Sequence, residues 1–145
     1  MIQAVIFDLY GTLFTLPEGL KDGALVLLEF CKGKGLKMAA VTSGNYDQAF
    51  LDQLGLSKYL NPVRCLSLFE KKEPKIFKEV LDELGVTPQQ AVGVGDLLEK
   101  EIKSMHALGM TTIWLTSTSE ADKPDEADYL VHDLQAVQMI IGKIN

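Results

Sequence analysis

The sequence predicts an α/β fold: a three-layer Rossmann-like sandwich on a mostly parallel sheet of five or six strands. Short, nearly continuous apolar runs alternate with segments of helical spacing, and most of the helical segments stop at a glycine. Strands that are apolar throughout are buried on both faces, which requires helices on both sides of a parallel sheet. We therefore predict a single core domain over residues 1–145.

The predicted strands are short runs of apolar and β-branched residues bounded by glycine or polar residues. The last of them, in the sequence DYLVH, is the shortest and would form an edge of the sheet. In chain order the others are Ala4–Leu9, Lys37–Thr42, Val63–Leu68, Ala91–Gly95 and Thr111–Leu115.

The predicted helices have apolar residues three and four positions apart. The first ends in the glycine-rich KGKG, the next three end at Gly55, Gly85 and Gly109, and Pro74 suits the first turn of the third. In chain order they are Gly23–Cys31, Tyr46–Leu54, Pro74–Leu84, Glu99–Leu108 and a closing helix from Asp133 to about Ile141.

Composition argues against several classes of function. The formal net charge is −6, whereas a broad nucleic-acid contact surface needs clustered lysine and arginine. No apolar run approaches the roughly 20 residues of a membrane span, and MIQAVIFDL lacks the features of a signal peptide. Cys31 and Cys65 lie in apolar segments, which is typical of reduced core thiols. We expect a cytoplasmic protein without membrane or nucleic-acid partners.

Polar residues stand where four predicted strands end. They are Asp8, Thr42 in the sequence TSG, the pair Lys71 and Lys72, and Asp96 after a glycine. Ligands of open α/β sheets bind beyond the carboxyl ends of the strands, so we expect these side chains to meet at one edge.

Two carboxylates, a hydroxyl and an ammonium together suit phosphoryl transfer. A strand-end aspartate can attack phosphorus, while the hydroxyl and the ammonium hold the phosphoryl oxygens. Facing carboxylates repel each other unless a cation lies between them, and Mg²⁺ prefers oxygen ligands. The sequence therefore predicts Mg²⁺ as the cofactor and a phosphorylated compound as the substrate.

Along almost its whole length the chain resembles the haloacid dehalogenase-like hydrolases. The sequence FDLYGTLF is similar to motif I of this family, and the resemblance implies that Asp8 is the nucleophile. The sequence AAVTSGN is similar to motif II, which implies that Thr42 is the hydroxyl that binds phosphate.

The resemblance extends to the last two motifs. The sequence KKEPKIF is similar to the family pattern K-P-x-P-x-I-F, and counting back from Pro74 places Lys71, rather than Lys72, as the motif III lysine. The sequence VGVGDLLEKE resembles motif IV, G-D-S-x-x-N-D. This implies that Asp96 is a metal ligand and that Glu101 occupies the second acidic position.

Tyr10 departs from the phosphatases of the family, which have a second aspartate there to protonate the leaving group and later activate water. A phenol is a poor base at neutral pH. Since general acid–base catalysis contributes typically ~10²–10⁴ in rate, phosphatase turnover should be weak. The true haloacid dehalogenases carry a tyrosine here, in DxYGTLF, and work without a metal. The resemblance implies that the Tyr10 main-chain carbonyl can still bind Mg²⁺, beside Asp8, Asp96 and Glu101.

The spacing of the motifs leaves no room for the cap domain that family members with small substrates insert. About 30 residues separate motif I from motif II, and about as few separate motif II from motif III, the length of one βα unit each. The resemblance therefore implies a capless hydrolase with an open site. Such a site takes a bulky substrate, for example the end of a macromolecule, or is covered by a neighbouring subunit in an oligomer.

Three functions follow from these residues. We expect a weak Mg²⁺-dependent phosphohydrolase that works through an aspartyl-phosphate on Asp8, with Tyr10, Thr42 and Lys71 at the reacting phosphate. A dehalogenase-type hydrolase would use Asp8 to attack carbon instead. A degenerate member would bind a phosphorylated ligand without turnover. Metal dependence distinguishes the first function from the second, and stable binding without turnover would support the third.

Overall fold

Eight β-strands and five α-helices are present in this computed structural model, which describes residues 1–67, 70, 72–118 and 122–145. The strands are β1 (Ala4–Phe7), β2 (Phe14–Thr15), β3 (Gly19–Leu20), β4 (Lys37–Thr42), β5 (Val63–Cys65), β6 (Ala91–Gly95), β7 (Thr111–Leu115) and β8 (Tyr129–Val131). The helices are α1 (Ala24–Gly33), α2 (Gln48–Leu54), α3 (Pro74–Leu84), α4 (Lys103–Leu108) and α5 (Leu134–Ile144).

Six of the strands form one parallel sheet in the order β5-β4-β1-β6-β7-β8. The chain therefore begins at the centre of the sheet and extends it outward on both sides. Because β1 pairs with β4 and with β6, the carboxyl ends of these three strands lie next to one another. The predicted Rossmann-like α/β fold is confirmed, with six strands in the sheet.

The alternation along β1 shows why its sequence is apolar throughout. Val5 and Phe7 pack into the core on one face of the sheet, and Ala4 and Ile6 pack into the core on the other. All four side chains are at most 1% exposed. Helices α1 and α5 cover the first face, whereas α3 and α4 cover the second, which gives the three predicted layers.

Local structure differs from the sequence prediction in several places: β1 and β5 end earlier than predicted, at Phe7 and Cys65, and α5 extends to Ile144. A small antiparallel hairpin, β2–β3, follows motif I, and its two-residue strands are too short to give a sequence pattern. Helix α2 begins at Gln48 because the Asp47 carboxylate caps it by accepting the N–H of Phe50. The motif IV helix starts with a π-helical turn at Leu98–Ile102 before α4. The predicted end of the third strand, Leu68, lies outside the described residues.

The connections between the motifs are short. The hairpin and α1 lie between β1 and β4, and α2 with its flanking loops lies between β4 and β5, so neither interval contains an inserted cap domain. Both cysteines are free thiols. Among the described residues, no helix has the length and apolar character needed to cross a membrane.

Candidate active site

Asp8 follows β1 directly and is held at the centre of the sheet edge. Its N–H donates to the carbonyl of Val94 on β6 at 3.0 Å, and its side chain is only 7% exposed. The chain then turns sharply, with the N–H groups of three successive residues pointing at the carbonyl of Leu9. Gly11 has a φ of +88°, and a Cβ at this position would lie 2.2 Å from Oδ2 of Asp96. The loops after β1 and β6 therefore touch at a place that only glycine fits.

Lys72 supplies the ammonium group of the site. Its Nζ lies 2.6 Å from Oδ1 of Asp8 and also forms an ion pair with Glu101. The carbonyl of Lys72 accepts a hydrogen bond from Ser104 Oγ on α4 at 2.8 Å, which fixes the chain just before α3. Sequence counting had favoured Lys71, which lies outside the described residues, so its assignment stays a prediction.

Glu101 is buried, with 1% of its surface exposed, and its hydrogen bonds account for both carboxylate oxygens. Oε1 accepts the main-chain N–H groups of Asp96 and Leu97, each at 3.1 Å, and Oε2 pairs with Lys72. A Cβ at Gly95 would lie 2.4 Å from Oε1, which explains the glycine before Asp96. Glu101 therefore fixes the loop that carries Asp96. Its predicted role as a direct metal ligand remains untested.

Asp96 completes an acidic cluster. Ligand oxygens of Asp8, Asp96 and Glu101 lie within 4.8 Å of one another. The main-chain carbonyl of Asp96 accepts a hydrogen bond from Trp114 Nε1 at 3.2 Å, whereas its Oδ1 is buried without a hydrogen-bond partner among the described residues. Three carboxylates face one ammonium, and all the donors are hard oxygens. The cluster therefore fits a divalent cation such as Mg²⁺.

Burial and mutual repulsion disfavour the charged forms of the aspartates in this cluster. Burial, and after it the charge of Glu101, raises the pKa of Asp8 to about 6 despite the opposing effect of Lys72. Burial and the neighbouring Asp8 likewise raise the pKa of Asp96 to about 6. Burial alone would lower the pKa of Lys72, but the two carboxylates beside it outweigh that effect and raise it. A bound cation would relieve the repulsion between the carboxylates.

Thr42 is the last residue of β4, which pairs with β1, the strand that Asp8 follows, and it is 1% exposed. Its Oγ1 accepts the N–H of Gly44 at 3.1 Å, which shapes the turn of motif II. No described residue accepts the hydroxyl proton of Thr42, so that proton is available to a phosphoryl oxygen. The predicted role of Thr42 in binding phosphate stays a prediction.

Tyr10 follows Asp8 by two residues, and 48% of its surface is exposed. Its ring meets the buried ring of Phe14 edge-on, with centroids 6.2 Å apart. The acidic cluster is formed by other side chains, and the predicted role of the Tyr10 main-chain carbonyl in metal binding stays a prediction.

Next to Lys72 a cavity of about 460 Å³ opens, lined mainly by charged side chains: Glu70, Glu73, Glu99, Lys100 and also Ser43.

The structure thus brings together Asp8, Asp96 and Glu101, with Thr42 at the adjacent strand end. The sequence argument placed Lys71 rather than Lys72 at motif III, and Lys72 is the lysine that the described part of the structure brings to this cluster. No sequence pattern separates it from Lys71, but in the structure Glu73 is extended, with φ −101° and ψ 161°, immediately before α3. Neighbouring side chains of an extended segment point to opposite sides, so with Glu73 exposed, Lys72 faces inward.

Comparison with known sequences gives a family and several relatives. The model of the haloacid dehalogenase-like hydrolases matches residues 14–109. A glyceraldehyde 3-phosphate phosphatase of Methanopyrus kandleri is 30% identical over 93% of this chain and 59% of its own length. Its counterpart in Pyrococcus furiosus is 28% identical over 99% of this chain and 63% of its own length. The chain therefore spans less than two thirds of these curated relatives.

Solved structures confirm the fold. A phosphatase of this superfamily from Thermococcus onnurineus superposes with a TM-score of 0.82 at 22% identity, over 97% of this chain and 98% of the other. A 2-haloacid dehalogenase from Pseudomonas syringae pv. Tomato superposes with a TM-score of 0.86 at 18% identity, over the whole of both chains. At these identities the likeness speaks for the fold and not for either chemistry. Since the family model matches most of the sequence, the chain belongs to the haloacid dehalogenase-like hydrolases.

Proposed function

We propose that this protein is a Mg²⁺-dependent phosphohydrolase that transfers a phosphoryl group first to Asp8 and then to water. The observation that carries the proposal is the buried cluster at the sheet edge. In it Asp8 lies 2.6 Å from the ammonium of Lys72 and within 4.8 Å of a ligand oxygen of Asp96. A nucleophile, a phosphate-binding cation and a place for a metal thus occur within one hydrogen-bonded group.

In the first step a carboxylate oxygen of Asp8 attacks phosphorus. The bond between phosphorus and the ester oxygen breaks, and that oxygen leaves with the electron pair. Lys72 has three N–H donors, so it can hold Asp8 and a phosphoryl oxygen at the same time. The hydroxyl of Thr42 donates to a second phosphoryl oxygen. The lysine at motif III is thereby Lys72 in this mechanism, with Lys71 kept as the alternative from the sequence.

Asp8 and Asp96 would hold Mg²⁺, together with the main-chain carbonyl of Tyr10. When bound, the cation neutralises charge on the phosphoryl oxygens as phosphorus is attacked. Glu101 acts on this site through the two N–H groups that it fixes in the Asp96 loop. It would therefore set the position of Asp96 more than it would bind the metal itself.

In the second step water attacks the phosphorus of the aspartyl-phosphate. The bond from phosphorus to the Asp8 oxygen breaks, which releases inorganic phosphate and restores the carboxylate. The water must lose a proton, and Tyr10 occupies the position where other phosphatases of the family place a carboxylate base. The proton would pass to solvent instead, and we expect this step to be slow.

The relatives support phosphate esters as the substrates. Besides the glyceraldehyde 3-phosphate phosphatases, a phosphoserine phosphatase of Thermus thermophilus is 27% identical over 79% of this chain and 48% of its own length. The open mouth, with Tyr10 48% and Leu97 44% exposed, favours a bulky substrate or a second subunit as a lid. The free thiols Cys31 and Cys65 agree with a cytoplasmic location.

Attack at carbon, as in the dehalogenases, is the second candidate function, and Tyr10 is the observation that favours it. A halide leaves without a proton, so the missing acid would not matter. The acidic cluster argues against this function, because attack at carbon needs no metal. Halide release from a 2-haloacid in the presence of EDTA would establish the dehalogenase.

The decisive experiment measures phosphate release from a panel of phosphate monoesters with Mg²⁺ and with EDTA. We expect turnover only with Mg²⁺ in the wild type, and none in Asp8→Asn. Asp82→Asn is the matched control, because this aspartate is exposed on α3. Equal turnover in the Asp8 variant would contradict the proposal. Tight binding of a phosphate ester without any turnover would instead identify a degenerate member of the family.

A further inference from the structure

A row of aromatic rings runs from the turn after Asp8 to helix α2. The buried ring of Phe14 packs against two tyrosines, with its centroid 6.2 Å from that of Tyr10 and 5.1 Å from that of Tyr46. Both pairs meet edge-on, at 89° and 86°. Tyr46 in turn stacks on Phe50, with centroids 5.4 Å apart. Tyr10 and Tyr46 are thus held in place by rings packed behind them.

Tyr46 reaches over the turn that positions Thr42. A Cβ at Gly44 would lie 2.3 Å from Cε2 and 2.7 Å from Oη of Tyr46, so this ring occupies the space above the glycine. The N–H of the same glycine donates to Thr42 Oγ1. Burial, followed by the charges of Asp8 and Tyr10, raises the pKa of Tyr46, as expected for a hydroxyl that faces the site. Tyr46 is therefore a neighbour of the phosphate position.

Apolar surface is exposed on the metal side of the site as well. Leu97 is 44% exposed and directly follows Asp96, whose carboxylate touches Gly11, the residue after Tyr10. With the phosphoryl group held by Asp8, Thr42 and Lys72, we infer that the rest of an ester extends past these exposed apolar side chains and not into the charged cavity next to Lys72. The leaving group would therefore meet rings and an aliphatic side chain.

The chemistry of the site independently limits the leaving group. Tyr10 takes the place of the family's acid, so an alkoxide would have to depart without protonation. A phenoxide is far more stable than an alkoxide and can leave unprotonated. Both the apolar mouth and the missing acid thus select the same esters.

We propose that Tyr10 and Tyr46 form a leaving-group site for the aromatic ring of an aryl phosphate, that is, a phosphorylated phenol. This inference rests on the proposed phosphohydrolase function and names its substrate class. In the reaction a bond forms between an Asp8 oxygen and phosphorus while the bond from phosphorus to the phenolic oxygen breaks. The phenoxide leaves with the electron pair and takes a proton from water.

Four substrates separate ring binding from leaving-group quality: phenyl phosphate, benzyl phosphate, acetyl phosphate and propyl phosphate. Phenyl and benzyl phosphate carry a ring, whereas phenyl and acetyl phosphate have good leaving groups. Ring contact should lower KM for both aromatic esters roughly two- to tenfold relative to propyl phosphate. Because the acid is missing, kcat should be higher for phenyl and acetyl phosphate than for benzyl and propyl phosphate. Equal KM values for benzyl and propyl phosphate would overturn the proposal.

Variants then assign the preference to the two tyrosines. Tyr10→Leu and Tyr46→Leu should each reduce the KM preference for benzyl over propyl phosphate, whereas Tyr46→Phe should keep that preference because the ring remains. Tyr10 is largely exposed, so its variant should fold even if the Tyr46 variant does not. Tyr59→Leu is the matched control, since this tyrosine bonds to Glu29, away from the site. An unchanged preference in Tyr10→Leu would remove that residue from the site and contradict the inference.

A binding measurement keeps the two proposals distinguishable. Phenylphosphonate cannot be hydrolysed, and calorimetry should show it binding two- to tenfold more tightly than propylphosphonate in the presence of Mg²⁺. Ring preference without turnover of any ester would refute the phosphohydrolase and keep the aromatic site. Turnover without ring preference would support the phosphohydrolase and refute the aromatic site. Comparing free phosphotyrosine with a phosphotyrosyl peptide shows whether the phenol belongs to a small molecule or to a protein. A preference for either of them over propyl phosphate supports aryl phosphates as the substrate class.

Discussion

Lys72 and Asp8 form a buried ion pair, with Nζ 2.6 Å from Oδ1 and both side chains at most 7% exposed. The same ammonium pairs with Glu101, so one lysine joins the strand end that carries Asp8 to the loop that carries Asp96. Since Asp96 is also near, the ammonium balances only part of the acidic charge. Lys72 is therefore a structural residue, in addition to the phosphate-binding role that we propose for it.

Replacing this lysine should therefore affect both stability and activity. Lys72→Met leaves Asp8 and Glu101 buried without their partner, and breaking a buried pair in this way typically costs about 3–5 kcal/mol of unfolding free energy. We expect a large loss in urea denaturation and loss of phosphate-ester turnover. Lys71→Met is the matched comparison, because it tests the lysine that the sequence favoured. Loss of activity in the Lys71 variant alone would return motif III to Lys71.

The acidic residues should differ in their effect on the metal. Asp96→Asn removes a carboxylate whose Oδ1 has no hydrogen-bond partner among the described residues, so it should greatly weaken the rise in Tm that Mg²⁺ produces. Glu101→Gln replaces a carboxylate whose two oxygens already bond to main-chain N–H groups and to Lys72. The protein without Mg²⁺ should therefore be less stable, whereas Mg²⁺ should still raise its Tm. The measurement is Tm across a Mg²⁺ titration. Complete loss of the response in the Glu101 variant would make Glu101 a direct ligand.

Stability of the metal-free protein should rise on mild acidification. Burial raises the pKa values of Asp8 and Asp96 to about 6 in the folded protein, above those of aspartate in an unfolded chain. The folded state then binds protons more tightly, so the stabilisation is complete below about pH 4 and is lost as pH rises through 6. We expect Tm in EDTA to increase from pH 7 to pH 5. The pKa of Glu70 is about 2, so its titration lies outside this window.

The Asn variants provide the check on that pH dependence. Asp8→Asn removes one of the repelling carboxylates and leaves Lys72 paired with Glu101, so at pH 7 in EDTA its Tm should exceed that of the wild type. The increase in the Tm of this variant between pH 7 and pH 5 should be smaller than that of the wild type. Saturating Mg²⁺ should reverse the order, because the cation stabilises the intact cluster. A wild-type Tm that falls steadily from pH 7 to pH 5 in EDTA would contradict the charge assignment.

The sequence predicted the parts of the fold that depend on burial over several residues. Strands β4, β6 and β7 and helix α3 occur within the predicted bounds, because continuous apolar runs and glycine stops reflect packing directly. The parallel sheet then placed Asp8, Thr42 and Asp96 at one edge. These are consequences of topology, and they need no knowledge of side-chain conformation.

The lysine and the aromatic row could not be obtained in the same way. Which of two adjacent lysines faces inward depends on the rotation of one short extended segment before α3, and a motif count is uncertain by one residue there. The contact between Phe14 and Tyr46 joins strand β2 to the loop before α2, so no local periodicity predicts it. The bonds from Glu101 to its own loop depend on the π-helical turn, which interrupts the α-helical spacing.

Tyr10→Asp tests what limits the reaction. An aspartate here restores the group that protonates the leaving oxygen and later activates water, and it keeps the main-chain carbonyl. Turnover of an alkyl phosphate such as propyl phosphate should rise, by up to ~10²–10⁴ if the geometry is suitable. Turnover of phenyl phosphate should rise less, since phenoxide needs no proton.

Two physical costs restrict the conditions under which that gain appears. A further carboxylate beside Asp8 and Asp96 adds repulsion, so the increase should require saturating Mg²⁺. The variant also loses the ring that packs edge-on against Phe14, so KM for benzyl phosphate should rise even as kcat for propyl phosphate increases. Steady-state kinetics of both esters across a Mg²⁺ titration, with Tyr10→Leu as the variant that loses the ring without gaining an acid, separates these effects. If a folded, metal-binding Tyr10→Asp protein hydrolyses propyl phosphate no faster than Tyr10→Leu does, the tyrosine is not what limits phosphatase chemistry, and attack at carbon becomes the better description.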